Sequence, residues 1–269
     1  MKLNRELKTG IILGLVILTM SLLSFFSLPN DYNKMDSDIR FQPPGFSHLL
    51  GTDNFGRDIF WRVLVGGRNS LLLAICTVAA AAAIGSLLGL LSGYIGGIPG
   101  EITMRIIDTL NSFPGIVLAL FITALFDNSQ YSIFIALLLI FIPSYTRIMR
   151  TGALRYKNAG FIQAEKIMGA GFFRITFIHI LPNISPSLFS ASVIGLSNAI
   201  LAESAMSYLG LGIQPPHPSL GRMLYEAQDW FFNAPWYALS PGFAIMLIVI
   251  TFHLLGEGLQ RFFGGQNLA

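Results

Sequence analysis

Long apolar stretches, separated by shorter polar segments, recur along this 269-residue chain. A helix needs about 20 apolar residues to cross the hydrocarbon core of a bilayer. Six stretches approach or exceed that length, at 9–28, 70–97, 103–126, 131–149, 185–210 and 238–260. The pattern therefore predicts an all-α integral membrane protein with six transmembrane helices. The third is expected to kink at Pro114, as membrane helices tolerate.

The composition agrees with a chain that lies mostly in lipid. Charged residues make up only 12% of it, whereas soluble domains carry about 25%. A single cysteine, Cys76, excludes an intrachain disulfide framework. The sequence has no Gly-Lys pair for a phosphate-cradling loop, and its four histidines lack metal-ligand spacing. We expect no catalytic residue, metal or cofactor in this chain, and the small net charge of +3 indicates no nucleic-acid partner.

The positions of the basic residues predict the orientation, because Lys and Arg are enriched in cytoplasmic loops. Lys2, Arg5 and Lys8 precede the first span. A second basic group follows the fourth span and therefore lies on the same side. It comprises Arg147, Arg150, Arg155, Lys157, Lys166 and Arg174. We expect this side, with both chain termini, to face the cytoplasm.

This orientation divides the chain into four parts. Residues 1–28 form the cytoplasmic N-terminus and a first span that is longer than the apolar core of a typical signal peptide. Residues 29–69 form an extracytoplasmic segment, 70–262 a membrane core with a cytoplasmic loop at 150–183, and 263–269 a cytoplasmic tail. The extracytoplasmic segment carries cations that disagree with the charge rule; they are Lys34, Arg40, Arg57, Arg62 and Arg68.

Small residues form a stripe on the second span. They recur every fourth position, at Ala81, Gly85, Gly89, Gly93 and Gly97. In lipid, such stripes promote helix association because they let two backbones approach closely. The stripe is expected to pack against another helix of this chain or against a second, similar subunit.

The loop after the fourth span has helical periodicity of its own. Its apolar positions are spaced to share one helix face; they are Phe161, Ala164, Met168 and Phe172. Gly169 and Gly171 are expected to end or bend this helix, since glycine adopts backbone conformations that other residues avoid. Residues 174–180 are expected to form a second short helix that stops at Pro182. A short exposed amphipathic helix predicts docking into a partner's groove.

This loop resembles the EAA loop of ABC importer permeases. The matching positions are Gln163-Ala164-Glu165, Gly169 and Ile180-Leu181-Pro182. The resemblance implies contact with an ATPase subunit through Gln163, Ala164, Glu165, Met168, Gly169, Ala170 and Phe172. The family's leading acid is a glutamine here, and whether Glu165 replaces it is left open.

Further motifs resemble the C-type permease of the dipeptide, oligopeptide and nickel family over about residues 45–262. They are His48 with Gly51-Thr52-Asp53, Gly56-Arg57-Asp58, Ser207 to Gly212, Gln214-Pro215-Pro216, Ala234-Pro235-Trp236 and Leu255 to Leu259. The resemblance implies a type I ABC importer fold in a prokaryotic inner membrane. It also implies a subunit that forms half of a translocation pathway for peptides, with nickel or a metal chelate as the alternative cargo. An ATPase-independent secondary transporter is the alternative from another class, and it often shows inverted repeats, of which none is evident.

The implied partners are a second related permease, two cytoplasmic ATPases that bind ATP and Mg²⁺, an extracytoplasmic solute-binding protein and membrane lipid. Contacts with the binding protein are expected at Trp61, Pro215 and Pro216. Residues 55–64 are alternatively expected to form a short helix that anchors its segment at the membrane surface. Glu203 is ionisable at membrane depth, where charge is costly, so it is expected either in the translocation path or in a hydrogen-bonded structural role.

Overall fold

The computed structural model describes residues 4–26, 32–126 and 130–264, which form helices and no β-strand. The α-helices are α1 Arg5–Phe26, α2 Ile59–Ile95, α3 Gly97–Ser112, α4 Gly115–Leu125, α5 Gln130–Lys157, α6 Gly160–Ile167, α7 Leu181–Tyr208, α8 Leu220–Ala227 and α9 Pro235–Gly264. A π-helical turn, Arg174–Ile180, leads directly into α7, and 3-10 turns lie at Ser37–Ile39 and Gln228–Trp230. Most of the predicted tail, 265–269, lies outside the described residues, as do 27–31 at the end of the first predicted span.

The all-α membrane fold predicted from the sequence is confirmed. Five helical segments in the described residues are long and apolar enough to cross a bilayer, namely α1, α2, α5, the π turn with α7, and α9. The α3–α4 pair makes a sixth crossing if its two helices count as one span, and they meet at an angle of 91°. Phe113 is extended before Pro114, as residues before proline tend to be. The expected kink at Pro114 is therefore a full break.

The membrane-spanning helices run between two ends of the bundle. An ion pair identifies each end. At the end that holds α6, Arg261 Nη1 of α9 lies 2.6 Å from Glu6 Oε1 of α1. At the end that holds α8, Arg57 Nη2 lies 3.0 Å from Glu226 Oε2 of α8. We call these the α6 end and the α8 end.

The small-residue stripe of α2 packs against α5 of the same chain. A Cβ added at Gly85, Gly89 or Gly93 would lie only 2.7 to 2.8 Å from a Cβ on α5. The α5 residues so approached are Tyr145, Met149 and Ala153, again spaced by four. The first of the two expected arrangements is therefore confirmed for these three glycines. Gly97 lies beyond the end of α2, and a Cβ there would meet no described atom within 4 Å.

Helix α2 begins earlier than the apolar pattern predicts. The Asp58 side chain accepts the Trp61 backbone N–H and caps a helix that continues unbroken to Ile95. Ile59, Val63 and Leu64 are buried in the bundle. The expected short helix at the membrane surface is therefore wrong, because the cap and the apolar face of this stretch make it the first turns of α2.

The expected stop at Pro182 is also wrong. The π turn passes into α7 without a gap, and Pro182 occupies one of the first positions of α7. Proline is tolerated there because the first N–H groups of a helix need no partner within it. The segment after α6 is therefore the start of the fifth crossing and not a separate helix.

Candidate coupling site

Helix α6 ends where the sequence predicts, in a compact C-cap. Gly169 has φ +83°, and its N–H donates to the Lys166 carbonyl oxygen at 3.0 Å. The Ala170 N–H donates to the Glu165 carbonyl oxygen at 2.9 Å. This pair of bonds is a Schellman motif, which favours glycine because the position needs a left-handed backbone. A Cβ at Gly169 would meet no described atom within 4 Å, so the cap faces open space.

One apolar side chain anchors α6 to the bundle. Ile162 is fully buried in a cluster with Met149, Ile175 and Ile184, which belong to α5, the π turn and α7. Phe161 and Met168 of the predicted apolar face are exposed, Met168 by 72%, as expected of a face that docks into a partner's groove. Ile167 is 87% exposed. Sequence periodicity therefore missed both the anchor, Ile162, and the exposed tip, Ile167.

The acid of the EAA-like motif faces back into the loop. Glu165 Oε2 lies 3.8 Å from Arg174 Nε and 3.5 Å from His179 Nε2. Both partners belong to the π turn, so Glu165 joins α6 to the start of α7. Gln163 is exposed, and its side-chain amide donates to the Lys157 carbonyl oxygen at 3.3 Å.

A tyrosine that the sequence analysis missed links this loop to α2. The Tyr94 ring, in the last turn of α2, contacts the Phe172 ring edge-on with 5.2 Å between centroids. Two ammonium groups lie over the same ring, those of Lys157 at 5.7 Å and Lys166 at 5.6 Å. The sequence signal that could have identified it is a tyrosine near the end of the second predicted span. Through Ile162, Glu165 and Tyr94, α6 contacts α5, the entry to α7 and α2.

The α8 end is held by a cluster of charged side chains. Asp53 is fully buried and lies 2.5 Å from Arg57 and 3.7 Å from Arg62. Glu226 lies 3.0 Å from Arg57 and 3.2 Å from Arg62. The Tyr237 hydroxyl also donates to Glu226, at 3.3 Å. The cluster ties residues 53–62 to α8 and α9.

This cluster explains much of the disagreement with the charge rule. Arg57 and Arg62 are buried and paired, so they serve the fold and not the orientation. Arg40 donates to the Asn54 carbonyl oxygen, and Arg68 donates to that of Ser24.

The structure places the expected binding-protein contacts at this same end. Pro215 and Pro216 are exposed, and the Pro216 carbonyl oxygen accepts the Asn33 side-chain amide at 2.9 Å. Trp61 is half-buried in the first turn of α2 and packs against Phe60, with 5.3 Å between ring centroids.

Glu203 lies inside the subunit, where α2, α7 and α8 meet. Its side chain is fully buried, and the Ser207 hydroxyl donates to it at 2.6 Å. The hydroxyls of Ser70, Ser204 and Ser219 surround the same carboxyl group. This enclosure favours the structural role among the two expected for Glu203.

Comparison with known proteins gives a match over most of the chain. Residues 85–265 match the family model described as binding-protein-dependent transport system inner membrane component. The dipeptide transport system permease protein DppC of Haemophilus influenzae is 35% identical, over 96% of this chain and 90% of the relative. The glutathione transport system permease protein GsiD of Pectobacterium atrosepticum is 40% identical, over 92% of this chain and 83% of the relative. The probable D,D-dipeptide transport system permease protein DdpC of Escherichia coli is 36% identical, over 94% of this chain and 85% of the relative.

A solved structure has the same fold. The MetNI methionine ABC transporter in an inward-facing conformation matches with a TM-score of 0.64 at 20% identity, over 76% of this chain and 96% of that chain. This likeness confirms the predicted type I ABC importer fold.

Proposed function

Because the chain belongs to the family of binding-protein-dependent transport system inner membrane components, we propose that it is a permease subunit of an ATP-driven importer of short peptides. The observation that carries the proposal is its similarity, along nearly the whole chain, to permeases of dipeptide and glutathione transport systems. The chain forms half of the translocation pathway and pairs with a second, related permease in the lipid bilayer.

The α6 end faces the cytoplasm, with both chain termini. The basic residues at this end support that orientation, because Lys and Arg are enriched on the cytoplasmic side. Two ATPase subunits dock there and bind ATP and Mg²⁺, so hydrolysis takes place outside this chain. The exposed side chains of Phe161, Ile167 and Met168 and the open cap at Gly169 offer the docking surface.

Closure of the ATPases moves α6, and the bundle follows because α6 is fixed to three of its helices. Ile162 transmits the movement to α5, Glu165 to the start of α7, and Phe172 to α2 through Tyr94. Coupling of this kind needs an element whose two positions are favoured by different bound states. Helix α6 with its three anchors is that element.

The α8 end faces away from the cytoplasm and receives the solute-binding protein. The charged cluster of Asp53, Arg57, Arg62 and Glu226 fixes the outer segment to α8 and α9. The charged cluster thereby stabilises the surface at the α8 end. This surface includes the exposed Pro215 and Pro216 and the half-buried Trp61.

Reconstitution tests this function. The chain, its sister permease, the ATPases and the binding protein are assembled in proteoliposomes, and uptake of labelled dialanine and of a nickel chelate is measured with ATP and Mg²⁺ inside. We expect dialanine uptake that requires both ATP and the binding protein. Uptake of the nickel chelate alone would move the proposal to the alternative cargo. Uptake that persists without ATPase subunits would replace the importer with a secondary transporter.

A further inference from the structure

A groove of about 960 Å³ lies between α5, α7 and α9. It extends from Tyr145 and Asn198, near the middle of α5 and α7, to Arg155 and Asn183 at the α6 end. Ligand sites in proteins commonly have volumes of roughly 300–1,000 Å³, so the groove has room for a small solute.

The groove wall is partly polar, although the helices that form it are long and apolar enough to cross a membrane. Its uncharged polar members, besides two tyrosines, are Ser144, Thr151, Asn183, Ser187, Ser190, Asn198 and Gln260. A second cavity of similar volume, between α1, α2 and α9, has a wall that is almost wholly apolar. Polar side chains inside a membrane face protein or a water-filled space, and the Asn198 side chain is exposed at the middle of α7. Of these two cavities, the groove between α5 and α7 is therefore the one that is open to water.

The groove also carries positive charge. Arg147 and Arg155 line it, and no Asp or Glu is among the lining residues that the structure describes. Arg147 donates to Asp108 of α3 at 2.9 Å, which offsets its charge. Arg155 lies over the Tyr156 ring, with 5.8 Å between the guanidinium carbon and the centroid. A guanidinium is suited to binding a carboxylate through paired hydrogen bonds.

The groove is connected to the coupling helix by both of its walls. Arg155 lies in the last turn of α5, directly before α6, and Asn183 lies in the first turn of α7, directly after the π turn. Helix α6 is therefore joined along the chain to both walls of the groove.

We propose that this groove is the subunit's wall of the translocation pathway in a state open at the α6 end, and that Arg155 attracts the carboxylate of the passing peptide. The proposal rests on the proposed import function. It assigns the pathway to one face of the subunit and gives that face a preference for anionic groups.

The reactivity of introduced cysteines tests the pathway assignment. Cys76 is the chain's single cysteine, so Cys76→Ser gives a chain without native cysteines. Cysteines are placed on the wall by Ser187→Cys and Asn198→Cys. Matched controls on other faces of α7 are Phe189→Cys and Leu201→Cys, whose native side chains are exposed but do not line the groove. The complete importer is held in nanodiscs without ATP and treated with anionic sulfonatoethyl or cationic trimethylammonioethyl methanethiosulfonate.

We expect the wall cysteines to react about tenfold faster than their controls, and the anionic reagent to be favoured at Ser187→Cys. Adding Arg155→Gln should lower that anion preference severalfold, whereas Arg155→Lys should retain it. Replacing an exposed arginine outside the groove, Arg105→Gln, should leave it unchanged. Equal rates at wall and control positions would overturn the pathway assignment, and an unchanged preference in Arg155→Gln would overturn the role of Arg155.

Transport then separates this proposal from the import function. Labelling Ser187→Cys should block ATP-driven dialanine uptake, whereas labelling Phe189→Cys should not. Full uptake by the labelled Ser187→Cys importer would overturn the pathway assignment. If the unlabelled importer shows no ATP-dependent uptake, the import function is wrong. The labelling rates then still decide whether the groove is open to water and favours anions.

Discussion

Tyr94, in the last turn of α2, contacts Phe172 of the loop that follows α6, with 5.2 Å between the ring centroids. The ammonium groups of Lys157 and Lys166 lie over the same tyrosine ring. Four side chains from α2, α5, α6 and the following loop therefore meet at one point. Together with the buried Ile162, this contact holds a helix of eight residues that is too short to be stable alone.

Removing the Tyr94 ring should loosen α6 without unfolding the bundle. An aromatic pair contributes about 0.5–1.5 kcal/mol, and a cation over an exposed ring about 0.5–1 kcal/mol. Tyr94→Ala should therefore speed amide hydrogen exchange in residues 160–172 by several fold and lower ATP-driven uptake. Tyr94→Phe keeps the ring and serves as the control. Unchanged exchange in Tyr94→Ala would show that α6 is held by other contacts.

If Glu165 joins α6 to the π turn, loss of its charge should reduce transport only moderately. Its partner Arg174 is largely exposed, and ion pairs of exposed side chains contribute about 0–1 kcal/mol. We expect Glu165→Gln to reduce uptake by a few fold and not to abolish it. Arg174→Gln should then have little further effect in the Glu165→Gln background, since both changes remove the same contact. Complete loss in Glu165→Gln, with Arg174→Gln silent, would indicate instead that Glu165 binds the ATPase directly.

The small-residue stripe gives a prediction about stability. Gly89→Ala places a Cβ 2.7 Å from Met149 Cβ, and overpacking of this kind costs about 1–3 kcal/mol. Gly67→Ala is the matched control on the same helix, because its Cβ would meet no described atom within 4 Å. Thermal unfolding in detergent should show a lower midpoint for Gly89→Ala and an equal or higher midpoint for Gly67→Ala, given the helix propensity of alanine. Equal midpoints for both variants would contradict the close packing of α2 on α5.

The charged cluster at the α8 end should be sensitive to the loss of one acid. Glu226→Ala leaves Arg57 and Arg62, both buried, with Asp53 alone to offset them. Breaking a buried ion pair costs about 3–5 kcal/mol, and the partial exposure of Glu226 places the expected cost near the lower value. The measurement is the unfolding midpoint in detergent, with the exposed Glu101→Ala as control. Similar midpoints for the two variants would contradict the role of the cluster.

Features governed by local chemistry were predictable from the sequence. The apolar stretches predicted the spans because lipid requires about 20 apolar residues in each. Gly169 predicted the end of α6 because the cap needs a positive φ. The resemblance in the loop and the flanking motifs predicted the importer fold.

Features governed by contacts between distant parts of the chain were not predictable. Arg57 meets Glu226 across 169 positions, and no local pattern announces that pair. Ile162 anchors α6 because α5, the π turn and α7 converge beneath it, and periodicity within α6 alone does not reveal that contact. The start of α2 was missed because Arg62, Arg68 and Asn69 interrupt the apolar pattern before residue 70.

The most direct test of the coupling role of α6 is the ATPase activity of the reconstituted importer carrying Gly169→Asp. A side chain at Gly169 meets no described atom of this chain within 4 Å, so the charge is felt chiefly by a docked partner. Gly97→Asp is the control, because Gly97 also has a positive φ and open surroundings but lies outside α6. We expect Gly169→Asp to abolish substrate-stimulated ATPase activity and dialanine uptake while Gly97→Asp retains both. Normal stimulated activity in a membrane-inserted Gly169→Asp importer would contradict the account.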